Sequence, residues 1–581
     1  MHFKRTNVMA AFAAAIASLA LLAVPARAQQ LVPARAEQQM VVAANPHAAE
    51  AGIRILRSGG NAIDAAIAVQ LVLSLVEPQS SGIGGGAFML YLDAADDGGP
   101  ATITAYEGRE TAPAAATPDM FLDEAGRPQS FGAVGFGGLA VGVPGALRML
   151  ELAHREHGKL PWADLFGPAI ELAENGFEIS PRLYFLLDRF AGFARARAFR
   201  AYFYDAGGKP HPTGYRLKNP EYAETLRLLA ANGAEPMYSG ELAAAIVDAI
   251  RNNGLVAGRM MLEDLRAYRA HASAPLCTPY RDWRVCGPQL PSSGGVAVQE
   301  ILGILQSFDL AAAKGTPEAI HLVAEASRLA FADRNFYLGD PAFVDAPVAG
   351  LLSRGYLDAR AALIEPKSAM QTVAPGTPPN LAAWNYAPSG FSDLASTSHF
   401  SIADRFGNAV AMTTSVQSTF GSQLMVGGFV LNNQLTDFSF EPEIDGRPVA
   451  NRPESGKHPL SSMTPTFVLD RDDRLRLIIG SPGGTRIINY VTQAIVGVLD
   501  WGLNVQEAVA APHFVAQQNV IELEEDTGLI AETEALEALG HRAVARNLNS
   551  GLHGIEIDYT DNGRVLWGGV DPRREGVALG D

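Results

Sequence analysis

A break in pattern near residue 390 constrains this chain more than any other feature. Lys367 to Ser392 is rich in proline, glycine and serine, with Ala374-Pro-Gly-Thr-Pro-Pro379 at its heart, the composition of a linker. Before it the signals are mostly helical. Asn45-Pro46 opens a helix that Gly59-Gly60 stops, and Asn61 caps a second one running towards Val76. That second helix is apolar nearly all round, which predicts burial. Turns mixed with an amphipathic helix near Leu147 to His157 follow, then a helix capped by Thr316-Pro317 and running towards Asp333. After the break the pattern turns to strands. Ser398 to Ala403 and Ala409 to Val416 flank the turn Asp404-Arg-Phe-Gly-Asn408, and Phe429 to Leu431 is also extended. Leu475 to Gly480 is an apolar strand that meets Ser481-Pro482-Gly483-Gly484 and a helix from Thr485 to about Leu499. A helix-rich first part and a strand-rich second part predict a layered α+β fold with helices packed on sheets.

The first residues point to export. Lys4 and Arg5 precede an Ala-rich apolar run from Val8 to Val24, and Ala26-Arg27-Ala28 forms an A-x-A cleavage box before Gln29. Residues 1–28 are therefore expected to be a signal peptide, giving a secreted, periplasmic chain. Losing Lys4, Arg5 and Arg27 with it takes the net charge from -17 to -20. So acidic a chain repels phosphate backbones, so nucleic acid is not an expected partner. No later run is long and apolar enough to span a bilayer.

The two cysteines, Cys277 and Cys286, lie in what reads as two short strands around Arg281-Asp282. A two-residue turn places them opposite each other at a non-hydrogen-bonded pair, where the Cα separation is short. An oxidising compartment then allows a structural disulfide, the alternative being two buried thiols.

Familiar cofactor signatures fail. Gly82-Ile-Gly-Gly-Gly-Ala87 fits a loose dinucleotide pattern, but Phe88 to Leu92 reads as a strand where such a site needs a helix. His154 and His157 could share a helix face, yet no third metal ligand is near. No nucleophile elbow, H-E-x-x-H run or complete phosphate loop occurs. No cofactor or metal is expected.

What remains is hydroxyl chemistry. Ser396-Thr397-Ser398 follows the linker and begins the strand-rich part. A threonine hydroxyl is a weak nucleophile without a base. Cutting the chain before Thr397 would supply one, because a free α-amine has a pKa near 8. Alone, such a cluster serves equally as a cap or turn. Gly480-Ser-Pro-Gly-Gly-Thr485, between a strand and a helix, offers free amides and room for a carbonyl to approach, as an oxyanion hole requires, though a plain turn has the same composition.

The ordered set of motifs is more specific than any one of them. Thr397-Ser398-His399, Asp404-x-x-Gly-Asn408, Leu431-Asn-Asn-Gln434-x-x-Asp437-Phe438, Pro459-Leu-Ser-Ser-Met463 and Gly480-Ser-Pro-Gly-Gly484 closely resemble the γ-glutamyltranspeptidase family. Gly82 to Phe88, Arg109-Glu-Thr-Ala-Pro113, Pro291-Ser-Ser-Gly-Gly295 and Gly339-Asp-Pro341 extend the resemblance over nearly the whole mature chain. It implies a four-layer αββα sandwich of the N-terminal-nucleophile type and self-cleavage between Ser396 and Thr397. A large subunit, residues 29–396, and a small one, residues 397–581, would pair as a heterodimer. By the same resemblance Thr397 attacks the γ-carbonyl of a donor such as glutathione, Ser415 supports it, and Gly483 and Gly484 hold the oxyanion. The acyl group then passes to water or to an amino acid or peptide acceptor. Arg109, Ser461 and Ser462 would bind the glutamyl carboxylate, and Asp437, helped by Gln434, the ammonium.

Several positions depart from the family pattern. Gln417 stands where an Asn is usual, Thr436 replaces an acid beside Asp437, and Ser415 replaces a Thr. Phe438 to Pro459 is shorter than in members with a lid over the site, which implies a more open one. His399 is an alternative base, but the α-amine already fills that role. A related acylase branch shares these motifs, so a glutaryl-type, cephalosporin-directed acylase is the rival reading, and an uncut, inactive binding homologue is a third.

Overall fold

Alternation along the strands builds the architecture. In Gly86–Asp93, Met89 and Tyr91 face one core while Leu90 and Leu92 face another. Met40–Ala43 divides in the same way, Val41 and Ala43 to one side, Met40 and Val42 to the other. Both faces of these strands are covered, so their sequences read as continuous apolar runs rather than as apolar–polar alternation.

The computed structural model describes residues 32–94, 100–381, 383–390, 396–561 and 563–581, and the expected signal peptide lies outside the described residues. Two seven-stranded sheets form the centre. In one, the strands run in the order Val577–Gly580, Met40–Ala43, Ser398–Ala403, Ala409–Ser415, Gly86–Asp93, Thr102–Gly108 and His271–Ser273. In the other the order is Ala34–Ala36, Gly563–Val570, His553–Thr560, Leu475–Gly480, Thr466–Leu469, Trp283–Gly287 and Leu276–Tyr280.

Met40, Leu90, Ala403, Phe467, Ile478 and Ile555 fill the space between the sheets. On the outer face of the first sheet lie Pro46–Arg57 and the wholly buried Ala62–Val76. On the outer face of the second lie Ser293–Leu305, Pro317–Tyr337 and Ile487–Leu499. The result is the expected helix–sheet–sheet–helix sandwich. No helix of the described residues is long and apolar enough to cross a membrane.

The proline-rich stretch before residue 396 has the composition of a linker, but the chain does not separate into two bodies there. Residues 33–581 form one compact unit. Ser398–Ala403 inserts between Met40–Ala43 and Ala409–Ser415, so residues from both sides of the stretch share one sheet. The stretch itself is tied down: Tyr337 Oη donates to the Gly376 carbonyl at 2.6 Å, and the Gly376 amide donates to Asp333 Oδ1 at 2.7 Å. Cys277 and Cys286 lie opposite each other across the turn Arg281-Asp282, their Cα atoms 4.1 Å apart, and are joined in a disulfide.

Candidate active site

Strand register brings Thr397 to Ser415. Ser398 pairs with Thr414, and the pairing of Ser415 with Gly86 ends the ladder there. In these two strands odd-numbered residues face the space between the sheets: Ala403, Ala409 and Ala411 lie in it, and His399 bonds Thr413 Oγ1 at 2.8 Å. Thr397 and Ser415 fall on that face at its open end, where Thr397 Oγ1 lies 3.2 Å from Ser415 Oγ. Ser415 Oγ also accepts the Gln417 amide at 2.8 Å, which fixes the hydroxyl.

Thr397 is only 3% exposed and has φ 145°. A β-branched residue in that region is strained, by about 1–3 kcal/mol. Its neighbours hold it there. Arg574 Nη1 donates to the Thr397 carbonyl at 2.9 Å, and the Ser396 hydroxyl donates to the Gln79 carbonyl. The Ser396–Thr397 peptide is thus gripped on both sides.

Thr397 opens on a cavity of about 680 Å³, within the range that binds small molecules. Its lining includes Ser415, Gln417, Gln434, Asp437, Ser461 and Ser462. Arg109 lies behind this wall with no exposure at all. Its Nε donates to the Pro459 carbonyl at 2.9 Å, and its Nη2 to Asp437 Oδ2 at 2.6 Å. The sequence places Arg109 and Asp437 at opposite ends of a zwitterion; the structure bonds them to each other. Gln417 takes the other oxygen, Nε2 donating to Asp437 Oδ1 at 3.0 Å. A carboxylate only accepts, so the Gln417 amide must present its nitrogen to Asp437 and turn its oxygen away. That Oε1 and the Gln434 Oε1 are both buried without a hydrogen-bond partner among the described residues. They are two acceptors on the cavity wall with nothing to accept.

The serines are prepared as donors. Ser461 Oγ accepts the Met463 amide at 3.1 Å and Ser462 Oγ accepts Arg334 Nη2 at 3.0 Å, leaving each O–H free to donate. Arg334, which sequence reasoning missed, lines the cavity from the helix Pro317–Tyr337. Its Nε donates to Ser293 Oγ at 2.9 Å. Burial lowers its pKa to about 10, with Asp437 acting against the fall, so it keeps its charge at neutral pH. A charged residue in the apolar run Leu329-Ala-Phe-Ala-Asp-Arg334 was the available signal. Glu110 is a second omission. Its Oε2 lies 3.5 Å from Arg109 Nη1, and burial pushes its pKa up to about 8 despite that arginine.

The glycine loop reaches the same cavity through Gly484, while Gly483 is not among its lining residues. Gly483 has φ 138° and Gly484 φ 60°, both favouring glycine, and a Cβ on Gly483 would come within 2.7 Å of the Tyr490 ring. The helix expected from Thr485 begins later: a 3-10 turn spans Gly484–Arg486 and the α-helix starts at Ile487. The Gly483 and Gly484 amides have no hydrogen-bond partner among the described residues. Gly484 lines the cavity.

A model described as gamma-glutamyltranspeptidase matches residues 48–581. The chain belongs to the gamma-glutamyltranspeptidase family. It is 36% identical over 555 residues to the glutathione hydrolase proenzyme of Bacillus subtilis, covering 93% of this chain and 91% of that one. It is 37% identical over 542 residues to the acylase ACY 1 proenzyme of a Pseudomonas strain, covering 91% and 92%. The solved structure of a cephalosporin acylase from Bacillus halodurans superimposes with a TM-score of 0.81 at 28% identity, over 94% of this chain and 97% of that one. As a gamma-glutamyltranspeptidase family member the chain is an enzyme of the N-terminal-nucleophile hydrolase class, with that class's αββα sandwich.

His399 is not poised as a base in this family member. Its ring packs beneath Gly480, where a Cβ would come within 2.3 Å, and bonds Thr413 and Ser401 hydroxyls at 2.8 and 3.2 Å. Burial, with His553 nearby, holds its pKa well below the usual imidazole range.

Proposed function

We propose that this chain is a self-processing γ-glutamyl hydrolase and transferase acting through a γ-glutamyl ester on Thr397. One observation carries the reading: the strained, buried Thr397 hydroxyl sits 3.2 Å from Ser415 and opens on a cavity that presents donors, acceptors and the Asp437 carboxylate together.

In processing, Thr397 Oγ1 attacks the Ser396 carbonyl carbon. The hydroxyl proton ends on the Thr397 nitrogen as the peptide C–N bond breaks. Water hydrolyses the resulting ester, leaving Ser396 as a carboxylate and Thr397 with a free α-amine and a free hydroxyl. Relief of the φ 145° strain favours the step.

In turnover the new amine takes the proton from Oγ1 as it attacks the γ-carbonyl. The Gly483 and Gly484 amides receive the oxyanion, and the collapse expels the leaving amine with that proton. Water or an amine acceptor then takes the acyl group. The substrate carboxylate meets the free O–H groups of Ser461 and Ser462, with Arg109 and Arg334 behind them. The ammonium meets Gln417 Oε1, Gln434 Oε1 and Asp437. Glutathione is the donor class in the name of the Bacillus subtilis relative, and a heterodimer of residues 29–396 with 397–581 follows from the cut. Export to the periplasm rests on the predicted signal peptide.

A glutaryl-type acylase is the second reading. Both Asp437 oxygens are already bonded, one to Arg109 and one to Gln417, so an acyl group without an amine would leave no broken pair behind. N-terminal sequencing of the purified protein, with γ-glutamyl and glutaryl anilide assays on the same sample, tests both. A second N-terminus beginning at Thr397 and preference for the glutamyl substrate is the expected result. A single uncut, inactive chain would defeat the first reading and leave a binding homologue.

A further inference from the structure

The residues lining the cavity range from buried to exposed. Thr397, Ser415, Gln434 and Ser461 are buried, whereas Pro128 and Glu441 at the mouth are exposed. An acyl group seated on the serines and glutamines therefore leaves the amine side of its scissile amide pointing past the rim. The rim is apolar and preformed. Phe440 stacks on the buried Phe121 with centroids 4.5 Å apart, and Phe131 packs edge-on against Phe136 at 5.7 Å. Ile444 reaches the cavity from a short hairpin in which Ile444 pairs with Arg447. This hairpin occupies the segment that the sequence marks as shorter than a lid.

Charge is unevenly placed. The charged side chains among the described lining residues are Arg334 and Asp437 at the inner end and Glu441 at the mouth. A leaving group that ends in a carboxylate, as the peptide half of glutathione does, finds no cation among the described rim residues and meets an acid there. A flat apolar ring finds Phe131, Phe440 and Ile444.

We propose that the rim formed by Phe131, Phe440 and Ile444 is a leaving-group subsite selecting amides of apolar, ring-bearing amines over carboxylate-terminated ones. The inference deepens the reading of this cavity as an acyl-transfer site and rests on it. It does not depend on which acyl group is preferred.

The test uses γ-glutamylbenzylamide and γ-glutamylglycine, whose leaving amines are both primary alkylamines, and the corresponding glutaryl pair, on the processed enzyme. With whichever acyl group is turned over, the benzylamide should have about tenfold higher kcat/KM, the scale on which an apolar pocket discriminates, expressed mainly in KM. Ile444→Ser, on an exposed hairpin, should cut that ratio several-fold, as should Phe440→Ser. Glu441→Gln should raise turnover of the glycine amide selectively. A wild-type ratio at or below one, or a ratio that neither Ile444→Ser nor Phe440→Ser moves, overturns the subsite. Turnover of the glutaryl pair alone, with the ratio intact, overturns the γ-glutamyl assignment and leaves the subsite standing. No turnover of any of the four overturns both.

Discussion

Arg109 and Asp437, 328 residues apart, are bonded to each other at 2.6 Å, and Gln417 completes the carboxylate's shell at 3.0 Å. Asp437 is thus a carboxylate whose charge is partly spent on a fully buried guanidinium, with its side chain still 22% exposed to the cavity. In the binding mode proposed above it would attract the substrate ammonium together with Gln417 and Gln434. Selectivity for an α-amine is graded in such an arrangement rather than absolute.

Asp437→Asn keeps the shape and removes the charge. It is expected to lower kcat/KM for γ-glutamyl substrates by roughly 10- to 100-fold, the worth of a hydrogen bond to a charged group, and to change glutaryl turnover only slightly. Steady-state kinetics on matched anilides measure the ratio. Asn is the better probe than Ala, because it keeps one oxygen for Arg109 while the Gln417 amide can turn to accept from the new NH2, whereas deleting the side chain would leave the buried Arg109 charge without that acceptor.

Thr397→Ala should remain one uncut band on a denaturing gel and show no acyl transfer, while Thr397→Ser should still cut. Ser415→Ala is expected to slow both cleavage and turnover by roughly 100-fold, since the 3.2 Å contact aligns the hydroxyl in both steps. Band densitometry over time gives the first rate and an anilide assay of fully cut protein the second. Loss of turnover with cutting untouched would assign Ser415 to one step alone.

The layering was legible because it rests on local signals. Asn61 caps the helix that ends at Val76, and Leu475–Gly480 has the predicted bounds. Arg281-Asp282 sets Cys277 opposite Cys286 in the predicted register. What the sequence hid was long-range. The proline-rich stretch has the composition of a linker, yet Asp333 and Tyr337 pin Gly376, so the strand after it joins a sheet begun at Met40. The Arg109–Asp437 bond was hidden for the same reason: each residue matched one end of a substrate, and only the fold shows them touching. Arg334 was missed because its partners, Ser293 and Ser462, come from two other segments.

Arg334→Gln tests whether that arginine acts on substrate through Ser462. The 3.0 Å bond to Ser462 Oγ aims the serine O–H at the cavity, and the charge adds to the field on a bound carboxylate. KM is expected to rise about tenfold with kcat changed less, because binding is lost rather than chemistry. Arg334→Lys should recover part of the charge effect without the bond geometry. A variant in which kcat falls and KM stays would place Arg334 in the chemical step instead.

Glu110 gives the site its own pH dependence. Burial raises its pKa from 4.5 to about 8, and Arg109 opposes the rise. Between those values the folded chain holds a proton that the unfolded chain has released, so stability falls as pH rises. The contribution is complete below about pH 4.5 and lost as pH passes through about 8, at up to about 1.4 kcal/mol per pH unit. Glu107, also raised to about 8 by burial, adds a parallel loss. Glu110→Gln should therefore flatten, without abolishing, the fall in Tm between pH 5 and pH 9 (roughly the span of the linkage). Above pH 8 the ionised carboxylate, 3.5 Å from Arg109 Nη1, also draws that guanidinium away from Asp437 and the substrate. The KM of wild type for glutamyl donors should then climb on the alkaline side while that of Glu110→Gln stays level. In the proposed cut form the free α-amine of Thr397, a group that ordinarily titrates near 8, would act on kcat, so the two parameters separate the two groups. An identical rise of KM in both proteins would clear Glu110 of any part in substrate binding.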